Sequence, residues 1–140
     1  MLMKIVTHML EDELFEASNA FGNTVAIDMR KPAEKKGQSP VELLLSSLSG
    51  CGAVDIVAIL KKRRKTIQAF TVETEASRRE SPPRAITSVH CKYHITSPDV
   101  TEAEAMKVAR LSLERYCSVA ASLNAEVTYS VEISRPDKGA

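Results

Sequence analysis

Three cysteines, at positions 51, 91 and 117, are the side chains in this sequence best suited to nucleophilic or redox chemistry. No two of them are close, and the count is odd. That pattern is neither a disulfide scaffold nor a zinc site; it fits free thiols in a reducing compartment, and no metal is expected. Cys51 stands between Gly50 and Gly52 in a long apolar run, and Asp55 follows four residues later, on the same face of a helix. A carboxylate so placed raises a thiol pKa and blunts its reactivity. Cys117 follows Glu114-Arg115-Tyr116, where Arg115 can favour a thiolate. Cys91 lies in Val89-His90-Cys91-Lys92-Tyr93-His94; on a strand, His90 and His94 share one face and Cys91 takes the other, so these three do not converge on a metal. The plain reading of each thiol is a small core hydrophobe. Glu42 also has a plain role, as the third-position partner of Ser39 in a capping box. Nine residues of helix put Glu42 about 13.5 Å below Cys51 and half a turn out of phase, so a Glu42–Cys51 partnership would have to cross between subunits.

The elements that would carry these residues follow from local pattern. Ser39-Pro40-Val41-Glu42 opens a helix, with a good cap, proline at the first helical position and glutamate at the third. The run LLLSSLSGCGAVDIVAIL is apolar nearly all round, which calls for burial on most sides. Gly50 and Gly52 weaken that helix, and point to close approach of another backbone. Lys61-Lys62-Arg63-Arg64-Lys65 reads as a solvated C-terminal end, where cations are favourable, more readily than as a phosphate-contacting patch. Before this helix, Lys4 to Met9, Leu14 to Ala17 and Thr24 to Met29 read as short strands, the last after the turn signal Gly22-Asn23. After it, Phe70 to Ala76 and Ile86 to Ile95 form a hairpin about Ser81-Pro82-Pro83. Thr101-Glu102-Ala103-Glu104 caps a second helix with the stripe Ala105, Val108, Ala109, Leu111 and Leu113. It breaks near Tyr116-Cys117, restarts briefly to Leu123, and Glu126 to Ile133 closes the chain as a strand. The order β-β-β-α-β-β-α-β is α+β with antiparallel pairing. A helix without a polar face and only six strands to cover it predict a symmetric dimer.

Composition bounds the function. With 140 residues the chain is long enough for one domain, 1–140, and too short for two ordinary ones. Nineteen Lys and Arg against eighteen Asp and Glu leave a formal charge of +1, which excludes nucleic-acid or membrane-surface binding driven by net charge. No apolar stretch is expected to reach the roughly 20 residues of a bilayer span, and MLMKIVTHML does not read as a signal peptide. The expected location is the cytoplasm.

Beyond these readings, Ser39-Pro40-Val41-Glu42-Leu43-Leu44-Leu45, Gly50-Cys51, Asp55 and Leu60-Lys61-Lys62-Arg63 together resemble the central helix of the OsmC/Ohr family. Glu114-Arg115-Tyr116-Cys117-Ser118-Val119 resembles that family's second cysteine motif, and the 66 positions between Cys51 and Cys117 are similar to the family's separation. Within the family the sequence looks most like the YhfA-like, OsmC-like subgroup. The resemblance implies an OsmC-like fold in which a long central helix is covered by antiparallel sheet, in an intertwined homodimer. It also implies thiol-dependent reduction of organic hydroperoxides in stress defence. Cys51 would be the peroxidatic and Cys117 the resolving cysteine, with Glu42 as the family's acid. The partners would be a small hydroperoxide and a thiol reductant such as a lipoyl-type dithiol, with no cofactor, no metal, no nucleic acid and no membrane.

Two positions depart from the family pattern. The glutamate that follows the motif proline in active members is Val41 here, and Glu42 comes one residue later. The arginine of the N-terminal hairpin is missing, since the first arginine is Arg30; Arg78, Arg79 and Arg115 are the other candidates to replace it. The alternative readings are therefore a catalytically weak relative that binds a small apolar ligand at the dimer cleft and, from another class, a nucleic-acid-associated protein using Lys61 to Lys65. For a peroxidase, Leu44, Leu48, Val54 and the glycines around Cys51 predict an apolar pocket that prefers bulky hydroperoxides to hydrogen peroxide.

Overall fold

The computed structural model describes residues 1–136; the last four positions of the expected 1–140 domain lie outside the described residues. The chain divides into two compact units, Met1–Leu45 and Ser46–Ala140, with the boundary inside one helix.

The first unit is a three-stranded antiparallel sheet in the order β1 (Val6–Glu11), β2 (Leu14–Ser18), β3 (Thr24–Asp28). Two tight connections set its register. Glu13 takes a left-handed φ of 62° between β1 and β2. Gly22 takes φ 82° between β2 and β3, where Asn19 Oδ1 accepts from the backbone N–H groups of Phe21 and Asn23. The loop after β3 is organised by the buried Asp28. Its carboxylate accepts from Arg30 Nε at 3.0 Å, Arg30 Nη2 at 2.9 Å and the backbone N–H groups of Lys36 and Gly37. These donors, Arg30 first, hold the Asp28 carboxyl well below the usual carboxylate range.

Helix α1 (Pro40–Lys62) begins as its sequence dictates: Ser39 Oγ accepts from the Glu42 N–H at 3.3 Å, while Glu42 Oε1 accepts from the Ser39 N–H at 3.0 Å. It ends in a Schellman-type turn, with the Lys65 N–H on Leu60 O at 3.0 Å and the Arg64 N–H on Lys61 O at 2.9 Å. Arg64 occupies the left-handed position, φ 61°. Within one chain α1 is not buried on most sides: Leu48, Gly52, Ile56 and Leu60 are buried, a single i, i+4 stripe. With 23 residues and an 18-residue stretch of mean hydropathy 2.0, it is also long and apolar enough to cross a membrane, against the expectation that no stretch would be. Serine, glycine and alanine dilute the run without breaking it, so length and composition alone do not separate a core helix from a span.

In the second unit, β4 (Ala69–Arg78) and β5 (Ile86–Thr96) form the expected antiparallel hairpin, and β6 (Glu126–Ser134) lies beside β5. The β5–β6 pair is parallel, Cys91 opposite Tyr129 and Tyr93 opposite Val131, which corrects the expectation of antiparallel pairing throughout. The reason is the connection. Between β5 and β6 the chain runs through α2 (Glu102–Leu111), one wide π-helical turn (Ser112–Tyr116) and the short α3 (Ser118–Ser122), a crossover long enough to return a strand in the same direction. The inward face of β5, Val89, Cys91, Tyr93 and Ile95, is buried with Leu48, Ile56 and Leu60 of α1 and Val100, Ala105, Val108 and Ala109 of the α2 region. The outward face carries His90, whose ring nitrogens reach Thr128 Oγ1 and Ser130 Oγ, and His94, which reaches Ser134 Oγ.

Candidate functional site

Helix α1 supplies Cys51 and, one turn later, Asp55. The break after α2 supplies Cys117. The π turn is closed by the Cys117 N–H on Ser112 O at 2.7 Å, one residue wider than an α-helical turn, and this resets the direction of the chain entering α3. As a result the Sγ atoms of Cys51 and Cys117 and a carboxylate oxygen of Asp55 all lie within 4.8 Å of one another. All three cysteines are free, and Cys91 is buried elsewhere on β5, where Thr74 Oγ1 donates to its sulfur at 3.9 Å.

The surroundings treat the two thiols differently. Cys51 is half-buried, whereas Cys117 is 3% exposed and serves as the cap of α3, its sulfur accepting from the Ala120 N–H at 3.4 Å. Burial pushes the Cys117 thiol up to about 11; the Ala120 N–H opposes the shift and the neighbouring Cys51 sulfur adds to it. Burial likewise raises the Cys91 thiol. Asp55 is tied to the π turn through Ser112. The Ser112 hydroxyl, fully buried, lies 3.3 Å from Gly52 O and 3.4 Å from Asp55 Oδ2 and donates to this pair.

Within the chain, Gly52 meets a side chain. Among the described residues the atoms nearest to a Cβ there are side-chain atoms, the Tyr93 hydroxyl at 2.7 Å and Leu113 Cδ2 at 3.4 Å. The glycine makes room for a buried tyrosine. Gly50 faces open space. Ser112 and Tyr93 were not legible as site neighbours, because one depends on the π turn and the other on the packing of β5 against α1.

Of the remaining expected site residues, Glu42 is engaged in its cap and is 3.3 Å from Lys35 Nζ; the Ser39 N–H, the Ser39 hydroxyl and Lys35 lower its carboxyl to about 2. Three of the four candidate arginines are also engaged: Arg30 with Asp28, Arg78 with Arg84 O at 2.8 Å and Arg79 with Pro83 O at 2.7 Å. Arg115 is exposed and lines a surface cavity of about 450 Å³ with Lys107, Arg110, Leu111 and Glu114. In the basic run after α1, Arg63 and Lys65 pair with Glu104 at 3.8 and 3.4 Å. Val54 is exposed and lines a groove of about 420 Å³ with Ala53, Val57, Ala58, Lys61 and Phe70, while Leu48, expected beside the thiol pocket, is core.

Residues 33–132, the span holding both cysteine motifs, match the family model for OsmC-like protein. The chain belongs to the OsmC family. Within it, the chain is 32% identical over 126 residues to protein YhfA of Escherichia coli K12, covering 89% of this chain and 92% of that protein. A crystal structure of a hypothetical protein from Aquifex aeolicus VF5 superposes with a TM-score of 0.85 at 26% identity, over 98% of this chain and 99% of the other. An organic hydroperoxide resistance protein from Legionella pneumophila shares the OsmC fold at TM-score 0.70 and 16% identity, over 94% and 97% of the two chains. The α+β architecture with its long central helix is thus the OsmC-like fold.

Proposed function

We propose that this OsmC-family protein is a cytoplasmic thiol-dependent peroxidase that reduces organic hydroperoxides through Cys51 and Cys117. The observation that carries the reading is the convergence of these two sulfurs, one half-exposed and one buried. Cys51 is the attacking sulfur because a substrate can reach it; Cys117, desolvated, keeps its proton. The Cys51 thiolate attacks the terminal, hydroxyl-bearing oxygen of the hydroperoxide, breaking the O–O bond to give a sulfenic acid and an alkoxide that leaves as the alcohol after taking a proton. Cys117 then displaces hydroxide from the sulfenic sulfur, forming the disulfide and water. A dithiol reductant returns both thiols by exchange, itself becoming a disulfide.

The active assembly in this reading is a homodimer. Supporting it, β1 is exposed along its whole length, with Val6, Met9 and Leu10 among its residues, and α1 exposes Leu44 and Val54. Sedimentation at micromolar concentration should give twice the 15.3 kDa of one chain. A stable folded monomer removes that part of the reading.

A second reading, a catalytically weak family member that binds a small apolar ligand, is favoured by the engagement of Arg30 with Asp28, of Arg78 with Arg84 O and of Arg79 with Pro83 O. One experiment separates the two: peroxide consumption with a dithiol reductant by wild type, Cys51→Ser and Cys117→Ser. Turnover that disappears in Cys51→Ser supports the peroxidase; no Cys51-dependent turnover leaves the binding protein.

A further inference from the structure

We infer that Cys51, Cys117 and Asp55 form a binding site for one zinc ion in the reduced protein. Nothing in the spacing of these residues announces such a site, since the second thiol comes 66 positions after the first. The fold nevertheless brings two sulfurs and a carboxylate oxygen within 4.8 Å of one another. In a tetrahedral zinc site, with Zn–S about 2.3 Å and Zn–O about 2.0–2.2 Å, ligand atoms stand roughly 3.4–3.8 Å apart, so from 4.8 Å the trio needs a contraction of at most about 1.4 Å. Two thiolates with one carboxylate select a borderline-soft, redox-inert ion over magnesium or calcium, whose sites are built from oxygen.

The surroundings are those of a supported site. Ser112, fully buried, holds Asp55 Oδ2 at 3.4 Å and fixes the orientation of that carboxylate on α1. The Ala120 N–H donates to Cys117 Sγ at 3.4 Å, a bond that strengthens when the sulfur carries negative charge. Cys51 is half-exposed, which leaves an entry path and room for a water as fourth ligand. Binding releases the two thiol protons to solvent, so charge balances as one Zn²⁺ taken up against two H⁺ lost. Zinc binding at the thiol pair does not depend on peroxide turnover.

The test is metal titration of the full chain, reduced and stripped with a chelator. Co²⁺ is the probe, followed by displacement with Zn²⁺. The expected result is one Co²⁺ per chain, with tetrahedral visible bands and thiolate-to-cobalt charge transfer, both abolished by zinc. Cys51→Ser and Cys117→Ser should each lower zinc affinity by about a hundredfold and Asp55→Asn by about tenfold. Cys91→Ser should bind as wild type. Cys117→Ser keeps a capping oxygen for α3, so its fold should survive; circular dichroism checks it, and Cys117→Ala gives a second reading of the same position. An octahedral cobalt spectrum without charge transfer, signal lost in Cys91→Ser but retained in Cys51→Ser, or no saturation at roughly micromolar zinc overturns the site. Peroxide consumption by metal-free protein is measured separately, so the two proposals fail independently.

Discussion

Gly52 and Tyr93 occupy one another's space: the backbone of α1 carries no side chain at the point where the hydroxyl of a fully buried tyrosine arrives, 2.7 Å from where a Cβ would stand. That hydroxyl has no hydrogen-bond partner among the described residues, and burial raises its pKa above the usual phenol value. Phe70 packs against the same ring at a centroid distance of 6.0 Å and the tyrosine is fully buried, so moving its hydroxyl aside must displace packed neighbours. Gly52→Ala should therefore destabilise the protein by about 1–3 kcal/mol through overpacking. Tyr93→Phe removes the obstructing atom and an unsatisfied polar group, and should be neutral or stabilising by up to about 1 kcal/mol. In the double variant most of the Gly52→Ala loss should vanish. Chemical denaturation of the four proteins measures the coupling, and simple additivity would refute the contact.

The thiol pair makes a stoichiometric prediction. One equivalent of hydroperoxide should consume two thiols per chain and lower the mass by about 2 Da, with the bond between Cys51 and Cys117. Peptide mapping after alkylation under denaturing conditions should find Cys91 reduced. A disulfide that includes Cys91, or oxygen adducts on Cys51 with no crosslink, contradicts the assigned roles.

Substrate choice follows from apolar surface on the helix that carries the thiol. The groove lined by Val54, Val57 and Phe70 does not include Cys51 itself, but it is the apolar surface that α1 presents beyond the thiol, and it would offer little to a small polar peroxide. Each methylene buried in such surroundings contributes about 0.8 kcal/mol, so four or five amount to two to three decades in catalytic efficiency when retained in the transition state. Cumene hydroperoxide should exceed hydrogen peroxide in kcat/KM by a ratio of that order, measured with the same dithiol. Equal rates count against an apolar pocket.

The cap of α1 should be sensitive to acid. Glu42 has a folded pKa of about 2 against an ordinary value of 4.5, because the Ser39 N–H, the Ser39 hydroxyl and Lys35 favour its charged form. A depressed carboxylate stabilises the fold at every pH above its unfolded pKa and loses that contribution as pH falls from 4.5 towards 2. Glu42→Gln should thus be less stable than wild type at pH 7, and the two should converge as pH approaches 2. Urea unfolding across that range decides; a difference that does not change with pH would mean the carboxylate's charge plays no part.

At the other end of α1, Arg64 holds a left-handed conformation that an L side chain adopts at a cost. Arg64→Gly should stabilise the protein by roughly 0.5–1 kcal/mol, since glycine takes that position of a Schellman turn freely. The midpoint of thermal unfolding should rise. An unchanged or lower midpoint would show that Arg64 makes a compensating contact.

The sequence alone determined what is written within a few residues. Ser39 with Glu42, and Thr101 with Glu104, cap helices because the partners are three positions apart and meet as soon as the first turn forms. The 70–95 hairpin and the shared face of Cys51 and Asp55 follow in the same way from periods of two and 3.6. The two cysteine motifs also carried the family. Only the tertiary structure decided what depends on residues far apart. The parallel placement of β6 is set by the whole α2–α3 crossover, which no local period encodes. The π turn at Ser112–Tyr116 adds one residue of winding because the Cys117 N–H reaches Ser112 O, and that brings Cys117 to Cys51 across 66 positions. Gly52, legible as a gap in a helix, acquired its meaning from the side chain that fills it, and that was fixed by the packing of β5 on α1.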